Sequence, residues 1–274
     1  MAIDHYENFP VASILLPATL QRPIALIYRF AREADDFADE GDATPSERLA
    51  QLATFSHDIA RIADHKPCET PWFNELAAVI YAHQLPLSCF NDLLSAFRQD
   101  VQQSRYNHYD ELLDYSRRSA DPVGHLLLTL FGQASPQNLI YSSAICTSLQ
   151  LINFWQDIAV DWQKGRVYLP QEDMRQFGIT EQHLARNDTE GRWTEFMLFQ
   201  LERTRSLLDT GRPLGQILKG RIGLEMRLII AGGDCILQKI SQVDGDVFRH
   251  RPTLKSLDWL VMLLRALFPP LFPR

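Results

Sequence analysis

Apolar residues recur three and four positions apart along almost the whole chain, which is the spacing of one face of an α-helix. No segment shows the alternation of apolar β-branched and polar residues that is typical of a half-buried strand. The pattern therefore predicts an all-α protein. Proline and glycine positions place the helices at about 24–40, 45–66, 71–83, 86–102, 108–118, 122–132, 136–164, 192–210, 213–240 and 255–267.

The connections between these helices are short and evenly spread, with neither a low-complexity tract nor an obvious internal repeat. This organisation predicts a single domain over residues 1–274. Two longer surface connections are expected at 102–111 and 172–192, and long loops in compact proteins often carry function.

The overall charge narrows the classes of partner. The chain has 34 acidic and 27 basic residues, giving a net charge of -7, which argues against a nucleic-acid-binding surface. The opening MAIDHYENFP lacks the basic stretch and apolar run of a signal peptide, so a cytoplasmic protein is expected. The four cysteines lie far apart without metal-ligand spacing and are expected to be buried.

The C-terminal stretch SLDWLVMLLRALFPPLF is the nearest approach to a membrane-spanning sequence. Asp258, Arg265 and Pro269 interrupt it, so it is too short an apolar run to cross a bilayer. Two interpretations remain: a terminal helix packed on the core, which we favour, and peripheral contact with a membrane surface.

An acidic cluster, READDFADEG, stands where the first helix should end. Carboxylates at a helix C-terminus oppose the helix dipole, so the segment is either solvated or placed to bind a cation. Tyr28, Arg32, Asp35 and Asp39 are spaced four, three and four apart and share one face, while Asp36 lies about 100° away. The first helix therefore carries an acidic stripe.

A second stripe lies in QLINFWQDIAVDWQKGRVYLP. Asn153, Asp157 and Asp161 are four residues apart among large apolar side chains, an environment too apolar for a fully solvated helix. Gly165 is expected to end this helix, so carboxylates again crowd a C-terminus.

Half-buried carboxylates have to be paired, protonated or bound to a metal. Two stripes facing each other across a bundle would offer the oxygen ligands that Mg²⁺ prefers, with positions left for water and phosphate. Mg²⁺ would neutralise a diphosphate leaving group as its C–O bond breaks. Because neither HExxH nor a Cys/His set at zinc spacing occurs, a zinc hydrolase is a poor fit.

At these residues the chain resembles the squalene/phytoene synthase family, the head-to-head prenyl synthases. YRFAREADDFADE resembles the first aspartate-rich motif, NFWQDIAVDWQKGRVYLP the second, and YSRRSADPVG, with Tyr115, Val123 and Gly124, the middle signature. The resemblance covers most of the chain. It implies an isoprenoid synthase helical bundle with a central active-site cavity, in which a glycine keeps a helix slim beside the substrate tails.

The resemblance also implies roles for individual residues. It assigns Mg²⁺ binding to Asp35, Asp36, Asp39, Asn153, Asp157 and Asp161, with Asp36 either a weaker ligand or a partner of Arg32. It assigns substrate binding to Tyr28, Arg32, Gly124, Gln150, Asn153, Arg166 and Tyr168. A structural salt bridge is the alternative for each of the two arginines, and a buried core position is the alternative for each of the two tyrosines. Catalysis falls to Tyr28, Arg32, Asp35, Asp39, Asp157 and Asp161. Candidates for the wall of an apolar tunnel, for which ordinary core is the alternative, are Leu126, Leu127, Leu130, Phe131, Leu149 and Ile152.

Two departures from the family pattern bear on the reaction. Gln156 and Val160 stand where squalene and carotenoid members commonly carry a basic and an acidic residue. With the opening DHYENFPVASILLP and the late stretch DVFRHRPTLKSLDWL, they favour the members that make hydroxysqualene in the bacterial hopanoid pathway. Those members convert presqualene diphosphate and water to hydroxysqualene and diphosphate. Asp121 is a candidate for placing the water.

Two other functions remain open. One is the condensation of two farnesyl diphosphates to presqualene diphosphate, squalene or a carotenoid precursor such as phytoene or dehydrosqualene. The other is a non-catalytic assembly factor with the same fold, which loss of the acidic motifs would favour and their presence disfavours. The resemblance further implies functional coupling to the other enzymes of the squalene route. No nicotinamide-binding GxGxxG motif follows a strand.

Overall fold

The computed structural model describes residues 18–267, which form helices joined by turns and short loops. The helices are α1 Ala18–Asp39, α2 Pro45–Ala63, α3 Phe73–His83, α4 Leu87–Gln102, α5 Tyr109–Ser119, α6 Asp121–Leu130, α7 Pro136–Gln156, α8 Ile158–Gln163, α9 Gln171–Phe177, α10 Glu181–Arg186, α11 Trp193–Gly211, α12 Leu214–Ile217, α13 Gly220–Gln242 and α14 Ser256–Leu267. Within residues 18–267 there is no strand, and one isolated bridge joins Arg105 to Val167. The predicted all-α class is confirmed.

Local signals explain where several helices begin and end. Thr44 caps α2 because its hydroxyl accepts a hydrogen bond from the Glu47 amide, while the Glu47 carboxylate accepts one from the Thr44 amide. Gly41 turns the chain away from the helical path just after α1, with a positive φ of 72° that glycine adopts without strain. The predicted end of the first helix is therefore correct to within a residue.

Four expected elements differ in the structure. Helix α1 begins at Ala18 instead of about residue 24, and Pro23 lies inside it. The helix predicted over 136–164 divides at Asp157, whose φ of -106° and ψ of 15° interrupt the helical path between α7 and α8. The helix predicted over 213–240 is preceded by the separate turn α12. The surface connection expected at 172–192 contains two short helices, α9 and α10.

Two apolar clusters form the core. The first joins α1 to α2, α3, α4 and α6 around Phe30, whose ring contacts those of Phe55, Phe73 and Phe90. The second is organised by α7, which packs against α5, α6, α11 and α13. Trp155 lies at its centre, fully buried, and its indole nitrogen donates to Thr204 Oγ1 at 2.8 Å. Helices of both clusters enclose a cavity between them.

The terminal helix α14 is mostly exposed. It packs on α13 through Met262 and Ala266, the two residues of α14 that are buried. The interpretation of a terminal helix packed on the core is therefore confirmed on the side of Met262 and Ala266, while most of the other residues of α14 stay exposed. Within residues 18–267, no helix is both long enough and apolar enough to cross a membrane. Of the four free cysteines, Cys89 is buried as expected and the other three are half-buried.

Candidate active site

A cavity of about 270 Å³ opens between α1, α4, α5, α6 and α7. It is lined by Ile24, Ile27, Tyr28, Ala31, Arg32, Asp35, Phe97, Tyr115, Ser119, Val123, Leu127 and Gln150. The lining thus combines apolar side chains with four residues that the sequence predicted to bind substrate or metal: Tyr28, Arg32, Asp35 and Gln150. A polar end and an apolar body are the features expected of a site for an amphipathic ligand.

The acidic residues of α1 converge, and Asp36, which lies outside the predicted stripe, joins Asp35 and Asp39. Ligand oxygens of Asp35, Asp36 and Asp39 all lie within 4.8 Å of one another. Burial, and then repulsion from Asp39, raise the pKa of the Asp35 carboxyl to about 7, although Arg32 opposes the shift. The Asp35 side chain still keeps 40% exposure because it faces the cavity. Clustered carboxylate oxygens of this kind fit a hard divalent cation.

Arg32 connects this acidic trio, Asp35, Asp36 and Asp39, to the cavity. Its guanidinium lies 2.8 Å from Asp36 Oδ1 and 3.4 Å from Asp35 Oδ2. Its buried Nε has no hydrogen-bond partner within residues 18–267. A buried donor without a partner is costly, so an anionic group in the cavity would be favourable here. The alternative of an Arg32–Asp36 pair, left open by the sequence, is present.

The second stripe has a different geometry from the one expected. Because the helix breaks at Asp157, the three residues of the stripe do not lie along one helix. The Asp157 carboxylate forms a bidentate ion pair with Arg251, with N–O distances of 2.5 and 3.1 Å. Burial and repulsion from Asp157 raise the pKa of Asp161 to about 8. Asn153 is half-buried in the last turn of α7.

The two motifs nevertheless meet at one end of the bundle. Lys164, just after α8, places its Nζ 2.8 Å from Asp39 Oδ2, and Arg166 places Nη1 3.5 Å from the same oxygen. Within residues 18–267 the close group of metal-ligating atoms contains the acidic trio alone, without Asp157 or Asp161. Metal binding by the second motif therefore stays a prediction.

Asp100, on α4, is a site residue that the sequence did not reveal. Its carboxylate accepts hydrogen bonds from Tyr115 at 2.7 Å and from Tyr168 at 3.3 Å. Burial raises its pKa to about 6, while the hydrogen bond from Tyr115 and the charge of Arg166 oppose the shift. Its charge contributes to the raised pKa values of both Asp35 and Asp161. The charge of Asp100 therefore acts on a carboxylate of each acidic motif.

Tyr28 and Tyr168 occupy different environments. Tyr28 lines the cavity from α1. Tyr168 is buried, and its ring stacks on Phe154 with a centroid distance of 3.9 Å and an interplanar angle of 10°. The Tyr168 hydroxyl donates a hydrogen bond to Asp100, so Tyr168 positions that carboxylate. Direct substrate binding by Tyr168 stays a prediction.

Gly124 packs against a neighbouring helix. A Cβ added at Gly124 would lie 2.3 Å from Ser142 Oγ and 2.7 Å from Cys146 Sγ, so glycine allows α6 to approach α7. Gly124 is absent from the lining of the cavity, which includes Val123 and Leu127 from the same helix. Glycine therefore narrows α6 at this position, but the space that it leaves is occupied by α7.

Asp121 lies away from the cavity. Its carboxylate accepts hydrogen bonds from Ser143 and Thr147, and it lines a separate polar cleft of about 200 Å³ with Arg117 and His125. The hypothesis that Asp121 delivers water to the cavity is not supported by this position. In the described part of the chain, Leu127 alone among the six candidate wall residues of the tunnel lines the cavity.

Comparison with known proteins agrees with this architecture. The family model for squalene/phytoene synthase matches residues 3–258. A hydroxysqualene synthase of Rhodopseudomonas palustris is 31% identical over 95% of this chain and 88% of its own length. One from Zymomonas mobilis is 33% identical over 81% of this chain and 75% of its own length. A 15-cis-phytoene synthase of Synechococcus elongatus is 29% identical over 95% of this chain and 89% of its own.

Solved structures share the fold. The crystal structure of the squalene synthase HpnC from Alicyclobacillus acidocaldarius superposes with a TM-score of 0.81 at 33% identity, covering 88% of this chain and 90% of the other. The all-α architecture is thus that of an isoprenoid synthase. With the family model matching nearly the whole length and the first acidic motif beside an apolar cavity, the chain belongs to the squalene/phytoene synthase family of enzymes.

Proposed function

We propose that the protein is a Mg²⁺-dependent hydroxysqualene synthase that converts presqualene diphosphate and water to hydroxysqualene and diphosphate. The observation that carries the proposal is that Arg32 and Asp35 line the same cavity as Ile24, Ile27 and Leu127. In this proposal, Arg32 and Asp35 would hold the diphosphate and its metal, and the apolar wall beside them would hold the prenyl chain. The hydroxysqualene synthases at 31% and 33% identity support the choice of reaction.

The chain supplies binding groups for both halves of such a substrate. The acidic trio would hold Mg²⁺. The bound ion would neutralise the negative charge that develops on the leaving diphosphate. Arg32 would donate to a phosphate oxygen through its Nε, which has no hydrogen-bond partner within residues 18–267. Arg166 and Lys164, which contact Asp39, add positive charge at the same end. Binding of the diphosphate at this end would direct the prenyl chain of the substrate into the cavity.

The reaction is a heterolytic substitution with rearrangement. The C–O bond of presqualene diphosphate breaks and its electron pair leaves with diphosphate. The cyclopropylcarbinyl cation rearranges, the oxygen of water attacks it, and the adduct loses a proton to give the alcohol. The aromatic ring of Tyr28 at the cavity wall would stabilise positive charge at the reacting carbons.

The competing reaction on the same fold is condensation of two farnesyl diphosphates. The 15-cis-phytoene synthase at 29% identity keeps this alternative open. The buried Gln156, a neutral residue whose amide donates to the Pro252 carbonyl, supports the hydroxysqualene reaction because the condensing members commonly carry a basic residue there. A non-catalytic assembly factor is disfavoured, because the acidic trio is intact.

The deciding experiment identifies the lipid product. Purified protein with Mg²⁺ is incubated with presqualene diphosphate or with farnesyl diphosphate, with and without NADPH, and the products are analysed by mass spectrometry. Hydroxysqualene from presqualene diphosphate without NADPH is the expected result. Squalene formed in an NADPH-dependent reaction, or phytoene-type products from prenyl diphosphates, would overturn the proposal.

A matched pair of variants links the product to the site. Asp35→Asn removes one carboxylate of the acidic trio and should lower turnover at least about a hundredfold, because transition-state charge on the diphosphate is then poorly neutralised. Asp42→Asn changes an exposed acid just beyond α1 and should retain full turnover. Equal activity of the two variants would show that the acidic trio does not bind the catalytic metal.

A further inference from the structure

The terminal helix α14 presents an apolar face to solvent. Leu257, Leu260, Val261 and Leu264 follow the i, i+3, i+4, i+7 spacing and are 71%, 54%, 38% and 38% exposed. Leu263 and Leu267 widen this band with exposures of 40% and 49%. These six residues are called the outer face of α14. Since Met262 and Ala266 are buried against α13, the helix is apolar on both sides.

A neighbouring element extends the outer face. The Arg227 guanidinium donates from Nε to the Ala266 carbonyl and from Nη1 to the Gly215 carbonyl, both at 2.9 Å, so it ties the end of α14 to α12. Ile217 of α12, two residues beyond Gly215, is 42% exposed. Seven of the eleven exposed large apolar residues between 18 and 267 therefore belong to one region, a clustering that marks an interaction surface.

The exposed charged residues on and beside α14 that lack an ion-pair partner within residues 18–267 are basic. Lys219, Lys255 and Arg265 are exposed and form no ion pair within residues 18–267, and Lys219 Nζ bonds the Gln216 carbonyl beside Ile217. The one acid of α14, Asp258, is bound by the Lys239 ammonium and by the Lys255 amide. A basic rim on a protein of net charge -7 indicates an anionic partner.

The chemistry of the rim decides between a second copy of the chain and a lipid surface. A two-fold dimer would place the outer face of α14 against itself and bring the basic rims of both copies together, which is unfavourable. An anionic bilayer accepts apolar side chains below its headgroups and attracts lysine and arginine at their level. We propose that the outer face of α14, with Ile217, docks peripherally on an anionic lipid bilayer.

This docking is independent of which reaction the enzyme catalyses. It is tested with the full chain and with vesicles of phosphatidylcholine alone or of an equimolar mixture of phosphatidylcholine and phosphatidylglycerol. We expect binding to the mixed vesicles in flotation assays, with weaker binding at high salt and to phosphatidylcholine alone. Because binding is read without turnover, its failure is distinguishable from failure of the proposed reaction.

Variants assign the surface. Leu260→Gln combined with Leu264→Gln should lower vesicle partitioning at least about tenfold, because both apolar contacts are lost. Lys255→Gln and Arg265→Gln should each lower it about fivefold. The control, Ile140→Gln with Leu198→Gln, changes exposed apolar residues of α7 and α11 outside this surface and should leave partitioning unchanged.

Three outcomes would overturn the proposal. One is the absence of binding to the mixed vesicles, and another is an equal loss of binding in the control variant. The third is vesicle binding that is unchanged by Leu260→Gln with Leu264→Gln. In that case sedimentation equilibrium and thermal unfolding identify the occupant: loss of a dimer indicates a second copy, and loss of stability indicates coverage by another part of this chain.

Discussion

Replacing Asp35 with asparagine should stabilise the metal-free protein while abolishing its activity. Asp35 lies in a group of carboxylates at the end of α1, where burial first, and then repulsion from Asp39, oppose its ionised form. The folded protein therefore holds the Asp35 proton to a pKa of about 7, whereas the usual pKa is 3.8. Asparagine is similar in shape and uncharged, so it removes both the cost of burying the charge and the repulsion from Asp39.

The magnitude follows from the pKa shift. A difference of about three pKa units corresponds to at most about 4 kcal/mol of unfolding free energy. Because the side chain is 40% exposed, solvent screens part of the repulsion, and we expect about 1–2 kcal/mol. The unfolded chain releases the proton first, so the penalty is absent below pH 3.8, grows as the pH rises, and is complete above about pH 7.

Urea denaturation with a chelator at pH 5.5 and pH 8 measures this effect. The gain in unfolding free energy of Asp35→Asn over the native sequence should be about twice as large at pH 8 as at pH 5.5. Mg²⁺ at ten times its Kd should stabilise the native sequence by about 1.4 kcal/mol and the variant much less. Asp42→Asn is the control. Destabilisation of Asp35→Asn by more than about 1 kcal/mol at pH 8 would refute the reasoning.

Three further results are expected. Asp157→Asn should instead destabilise the metal-free protein by about 1–3 kcal/mol in urea denaturation, because it removes the negative charge from a partly buried bidentate ion pair with Arg251; an unchanged midpoint would contradict this ion pair. Mg²⁺ affinity, measured by calorimetry, should rise between pH 6 and pH 8 as Asp35 loses its proton, and a flat profile would exclude it as a ligand. Gly124→Ala should lower the melting temperature through a clash worth about 1–3 kcal/mol, with partial rescue by Ser142→Ala, and full stability would contradict the close approach of α6 and α7.

The contrast between Asp35 and Asp157 shows where sequence reasoning reached its limit. From sequence, both carboxylates belonged to equivalent acidic stripes at helix ends, and nothing in the pattern distinguished their surroundings. The contacts within α1 are four residues apart or less, so helical geometry predicts them. Arg251 is 94 residues from Asp157, and no local pattern connects the two.

The same distinction applies to the fold and to the rest of the site. Helical periodicity predicted most helices and their ends, while the break at Asp157 comes from that residue's backbone conformation, which the apolar pattern does not encode. Asp100 escaped prediction because its partners, Tyr115 and Tyr168, lie on other segments and it stands in a polar stretch without a motif. Gly124 was recognised, but its neighbour on α7 was not.

The sequence by itself determined the all-α class, the family and the acidic stripe of α1, because these depend on residue types and on spacings within one or two helical turns. Tertiary structure alone decided that Asp100 joins the two motifs and that Arg251 neutralises Asp157. It also decided which side of α14 faces solvent. An apolar helix has the same sequence pattern whether its second face is buried by protein or left open, so only the packing of neighbouring helices distinguishes the two.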